Sequence, residues 1–136
     1  MLGIRNYTQE YIDACRSKLK RDLAAYSTLA SAPNNHPAAQ AFEPTFFNNM
    51  VLVLDHFFVH RLRTVEGKDG NPLNEVRILC DSMLLNNNKM SSDKAIKLSP
   101  EKSVLKHQVG DEIKLTEADF LRLSEAFFAE IETKFL

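Results

Sequence analysis

Between Phe46 and Leu62 apolar side chains return every three or four residues, and Phe46, Phe47, Met50, Val51, Val53, Leu54, Phe57, Phe58 and Leu62 cover about half of a helical wheel. A helix that is apolar over so wide an arc has to be enclosed by other elements, because water cannot solvate it. The sequence supplies three partners of the same period. Ile12, Cys15, Leu19, Leu23, Tyr26 and Ala30 form a stripe along a helix expected from Thr8 or Gln9 to Ser31. Leu73, Val76, Leu79, Cys80 and Met83 form one along a helix from Pro72 to Leu85, with Asn71 as its cap. Phe120, Leu123, Phe127, Ile131 and Phe135 form the last, on a helix opened by Thr116, Glu117, Ala118 and Asp119, a capping-box pattern with Asp in the third helical position.

The central helix is expected to open at Pro44, where a missing N–H costs nothing, and to reach Arg63. Pro33, Asn34, Asn35 and Pro37 mark residues 32–43 as a loop, and Gly67 and Gly70 mark the turn before Asn71. In residues 95–98 and 112–115 apolar and polar side chains alternate, which reads as two short strands pairing into an antiparallel ribbon. The expected fold is mainly α: a four-helix-bundle-like single domain over residues 1–136, with a small β-hairpin inserted between helices 3 and 4. A chain of 136 residues is the size of one such unit.

Charge narrows the range of functions. Seventeen basic and eighteen acidic residues leave a formal charge of −1, so no global field draws nucleic acid, which is not an expected partner. The basic run Arg16, Lys18, Lys20 and Arg21 is interrupted by Asp22 and reads as a solvated helix face. Asn48, Asn49, Asp55, His56, His60 and Arg61 interrupt the most apolar stretch and would be costly in a bilayer, so no membrane span is expected. Residues 1–16 lack the apolar run of a signal peptide, and Cys15 and Cys80 both fall on core stripes; a reducing cytoplasm is the expected location. Neither cysteine has a histidine placed by spacing as its base, so neither reads as a nucleophile.

Two motifs carry chemistry. His56 and His60 stand one helical turn apart with Asp55 beside them, so a divalent metal could be held there, with Glu75 as a further acidic ligand. The residues between the histidines are Phe57, Phe58 and Val59, which provide no general base, and two polar residues on a solvated face are the simpler reading. The turn from Glu66 to Asn71 leads into a helix N-terminus where Arg61, Arg63, Lys68 and Arg77, with Asn71, could gather around an anion. Its spacing is not that of a phosphate loop, and a capped connector is the simpler reading.

Phe46–Phe47, Phe57–Phe58 and Phe127–Phe128 are adjacent pairs whose members point about 100° apart on a helix, so each pair feeds two surfaces. A second buried surface, either a symmetric subunit interface or an apolar ligand pocket, is therefore expected. These observations favour a non-catalytic, homodimeric module binding a protein partner or small ligand. The competing reading is a metal-binding helical bundle with metal-assisted enzymatic activity at His56 and His60. No catalytic residue is assigned.

Overall fold

The computed structural model describes residues 3–136 as five helices: α1 (Gln9–Ser31), α2 (His36–Phe57), α3 (Arg63–Glu66), α4 (Pro72–Leu85) and α5 (Glu117–Phe135). Helix α2 packs on α1, α4 and α5, while α5 also packs on α1 and α4. Leu54, Leu79 and Phe127 are fully enclosed, and one contiguous cluster of side chains forms the core. This arrangement, with α2 at its centre and a one-turn α3, replaces the expected four-helix bundle. Among the described residues no helix is long and apolar enough to cross a membrane.

Local chemistry explains the helix ends. Thr8 Oγ1 accepts the Tyr11 N–H at 3.1 Å, Asn71 Oδ1 accepts the Asn74 N–H at 3.0 Å, and Thr116 and Asp119 form a reciprocal capping box. Asn87 and Asn88 close α4 with φ of 54° and 61°, a conformation asparagine tolerates better than most residues.

Helix α2 departs from expectation at both ends. It opens at His36, with Pro37 rather than Pro44 in the first turn, so much of the expected loop over residues 32–43 is helical. Ala38, Ala39 and Ala41 are strong helix formers, and Ala39 is buried against α1, its carbonyl accepting from the Tyr26 hydroxyl at 3.1 Å. Pro44 then lies inside the helix, where it forfeits one backbone hydrogen bond. The helix ends at Phe57 instead of Arg63 because tertiary partners take over its last groups. Tyr11 Oη donates to the Phe57 carbonyl, Ile4 N–H donates to the His60 carbonyl at 2.7 Å, and Leu62 N–H donates to the Ile4 carbonyl at 2.9 Å.

The expected β-hairpin does not form. Residue Lys97 makes a parallel bridge to Asp69, Glu112 makes an antiparallel bridge to Lys89, and among the described residues no extended strand is present. The alternation had the correct inward residues, since Ile96, Ile113 and Leu115 are buried. What it could not show is that the backbone partners lie elsewhere. Asn48 of α2 donates to the Ile113 carbonyl at 2.8 Å and accepts the Leu115 N–H at 3.1 Å, using groups that a ladder would need. Glu75 of α4 accepts the Val104 and Leu105 N–H groups at 2.8 and 2.9 Å.

The phenylalanine pairs are also absorbed differently. Phe47, Phe58, Phe127 and Phe128 are all buried in the same core, and half-buried Phe46 stacks on Tyr26 at 4.6 Å. Half-buried Phe57 packs edge-on to Phe58 at 6.5 Å. The pairs therefore feed mainly one core, although Phe57 also lines a surface depression and Phe128 a surface groove.

Candidate functional site

The residues singled out from the sequence all lie between the last turn of α2 and the first turn of α4. Because α2 stops at Phe57, His60 is in a turn and no longer one helical step from His56. Both imidazoles are exposed and line a shallow depression beside Tyr7 and Tyr11. Asp55 turns toward Arg61, with 3.0 Å between carboxylate and guanidinium, and Glu75 is committed to the Val104 and Leu105 amides. Among the described residues no group of three or more His, Cys, Asp or Glu side chains is placed to share a metal ion.

The expected anion site is corrected more sharply. Arg61 is 3% exposed and bonds inward with all three of its nitrogens: Nε on Glu66 at 2.6 Å, Nη1 on the Phe58 carbonyl at 3.1 Å and Nη2 on the Leu73 carbonyl at 3.2 Å. Asn71 donates Nδ2 to the Glu66 carbonyl at 2.9 Å and to Asp69 at 3.0 Å while capping α4. Only Arg63 and Lys68 of the proposed set remain exposed. The arrangement is an internal ion cluster that pins the connector, because the arginine expected to meet an external anion already has an internal carboxylate.

Its centre is Glu66, fully buried. Arg77 completes the cluster, with Nε on Oε1 at 3.0 Å and Nη2 on Oε2 at 2.8 Å. From α5, Lys134 Nζ donates to the Glu66 carbonyl at 2.9 Å. Burial alone would raise the carboxyl pKa, but hydrogen bonds and charge from Arg77 and Arg61 outweigh it and hold Glu66 below the usual carboxylate range. Sequence reasoning placed Arg77 around an external anion and missed Glu66 as the internal carboxylate that it meets. The signal available was a short connector unusually dense in hydrogen-bonding side chains: Glu66, Asp69, Asn71 and Asn74.

A second ion pair ties α1 to α5. Arg16 Nη2 meets Glu132 Oε1 at 2.7 Å, Nη1 meets Oε2 at 3.1 Å, and the guanidinium lies over the Phe128 ring at 4.7 Å. The hydrogen bonds from Arg16, then from Gln9, hold the Glu132 carboxyl down to about 2, against its ordinary 4.5. Both glutamates bind protons more tightly in the unfolded chain, so their contribution is full above the ordinary carboxylate range and disappears as pH falls through the folded values. Thermal unfolding followed by circular dichroism should give a melting temperature that falls as pH drops from 4.5 to about 2. In Glu132→Gln the neutral-pH melting temperature should be lower and this acid fall smaller. A fall of unchanged size would reject the assignment.

No protein-family model, curated protein or solved structure matches this chain. The surface must therefore be read by its own geometry. A groove of about 340 Å³ with a mainly apolar lining runs between α1 and α5. Leu19, Leu23, Phe120 and Phe128 make its floor and walls, and Leu121, 43% exposed, stands on its α5 lip. Arg16 closes one end through its pair with Glu132. Exposed Lys20 lines the α1 side and exposed Glu125 the α5 side. The thiols are poor nucleophiles: burial raises the pKa of both Cys15 and Cys80, and Cys80 faces the Val51 carbonyl.

Proposed function

We propose that this chain is a non-catalytic, homodimeric binding module whose two copies join through the α1/α5 groove. The support is a single observation: one face carries both an apolar groove and an exposed leucine, with opposite charges on the two lips, Lys20 and Glu125. A two-fold axis repeats the same patch on both partners, so each Leu121 enters the other copy's groove while each Lys20 meets the other copy's Glu125. The patch is self-complementary in shape and in charge. Burying an exposed leucine is favourable by roughly 1.5–3 kcal/mol per copy, and the reciprocal ion pairs fix the register. A single exposed leucine would need no such explanation; a leucine beside a matching groove does.

Light scattering over a range of concentrations should give a mass near twice the 15.5 kDa chain. Leu121→Asp should return it to the single-chain mass, with an unchanged circular-dichroism spectrum. Lys20→Glu should weaken association, and adding Glu125→Lys should restore it. A wild-type mass that stays at 15.5 kDa throughout rejects the proposal.

A further inference from the structure

We infer that Ser99 is a phosphorylation site for a proline-directed serine/threonine kinase. In the run Ser99-Pro100-Glu101-Lys102 a hydroxyl is followed directly by proline and, three residues on, by a lysine. Nowhere else in the chain does a serine or threonine precede a proline, since Pro33, Pro37, Pro44 and Pro72 follow Ala32, His36, Glu43 and Asn71. Each part of the run has a physical reason. Proline alone brings no backbone N–H, so a kinase that offers no acceptor beside the target serine selects it, whereas any other residue would leave a buried donor unbonded there. The lysine answers an anionic group on the kinase.

The fold leaves this serine free to react. Ser99 is partly exposed, and its hydroxyl makes no hydrogen bond among the described residues yet is not one of the buried unpartnered groups, so water reaches it. The turn that follows hangs from the Ser99 carbonyl, which accepts the Lys102 and Ser103 N–H groups, each at 3.0 Å. A phosphoryl group on the hydroxyl therefore costs the turn no bond. A kinase takes its substrate extended, and straightening Ser99 to Lys102 requires those two bonds to open, a local event far short of unfolding. The chain is tied down on either side, where Lys97 N–H donates to the Lys68 carbonyl at 3.0 Å and Val104 N–H to Glu75 at 2.8 Å.

In the transfer, Ser99 Oγ bonds to the γ-phosphorus of ATP, the bond from that phosphorus to the β,γ-bridging oxygen breaks, and ADP leaves with the electron pair. The hydroxyl proton passes to the catalytic carboxylate of the kinase. The consequence is electrostatic. Residues 94–106 carry Lys94, Lys97, Lys102 and Lys106 against Glu101 alone, a surplus of three positive charges, and a phosphate of about −1.5 to −2 cancels half of it or more. The lining of the α1/α5 groove includes none of these residues, so the modification and the dimer are tested separately.

The test incubates the full chain with an activated cyclin-dependent kinase, Mg²⁺ and ATP, and locates phosphate by mass spectrometry of proteolytic peptides. One phosphoryl group, on Ser99, is expected, and none in Ser99→Ala. The initial rate should fall at least about tenfold in Pro100→Ala, which keeps the carbonyl that accepts from Ser103 Oγ at 2.9 Å, and should also fall in Lys102→Glu. Absence of phosphate from Ser99, or a rate unchanged in Pro100→Ala, would overturn the assignment. A synthetic peptide of residues 94–106 run beside the chain then tells whether the fold conceals the serine or the kinase does not recognise its sequence.

Discussion

Glu66→Ala is expected to destabilise the fold by about 3–5 kcal/mol, because it strands a buried arginine rather than merely deleting a contact. Arg61 is 3% exposed and sits over the Phe127 ring at 5.5 Å, so without Glu66 it retains two carbonyls and Asp55 but loses its closest counterion. Arg77 is less affected, since its side chain is 22% exposed and can rehydrate. For a domain of this size the loss corresponds to a melting temperature lower by roughly 10–20 °C. Replacing both charges, Arg61→Met with Glu66→Leu, should recover much of the stability, because the desolvation cost disappears together with the attraction. A loss below about 1 kcal/mol for Glu66→Ala would mean that the cluster is solvated in solution and does not hold the connector.

The second large effect is expected at Phe58. Its ring is fully buried and meets Tyr7 edge-on at 4.9 Å, Tyr11 at 5.6 Å, Phe127 at 5.8 Å and Phe128 at 6.0 Å. One side chain thus joins the N-terminal segment, α1, the end of α2 and α5. Phe58→Ala removes this volume at a point where the surrounding aromatic rings cannot all collapse inward, and about 3–5 kcal/mol of stability should be lost in urea unfolding. Phe42→Ala, at a 47% exposed position, should change stability by no more than about 0.5 kcal/mol and serves as the internal comparison. Equal losses at the two positions would contradict the packing described.

Three of the four long helices were legible twice, once as an apolar period and once as a cap, whereas α2 has the period but no side-chain cap. Asn71 and Thr116 declared two starts by side-chain chemistry alone, Asn6 and Thr8 were both candidates for the first, and Thr8, Asn71 and Thr116 each accept a backbone N–H. The errors fall where a tertiary partner overrides a local signal. Pro44 is an apt first residue, yet Ala39 packing on Tyr26 carries the helix past it to Pro37. The alternation in residues 95–98 and 112–115 correctly marked which side chains face inward, but period alone cannot identify a backbone partner. The candidate site suffered the same limit. Arg61 and Asn71 were recognised as the residues of interest in the connector, but nothing in one sequence shows that Arg61 folds inward onto Glu66 and Arg77. Whether a charged side chain faces water or a counterion is decided by packing, and His56 and His60 lost their shared helical face for the same kind of reason.

The stretch between α4 and α5 hangs from the helices by three anchors: Ser82 at Ser91, Glu75 at Val104 and Leu105, and Asn48 at Ile113 and Leu115. A sheet would have made its rows interdependent, so that slipping one register shifts them all. Separate anchors divide the stretch into spans that can lengthen, shorten or change course independently, provided each returns to its fastening point. Natural variation in this chain should accordingly accumulate between the anchors, with the helical body left undisturbed.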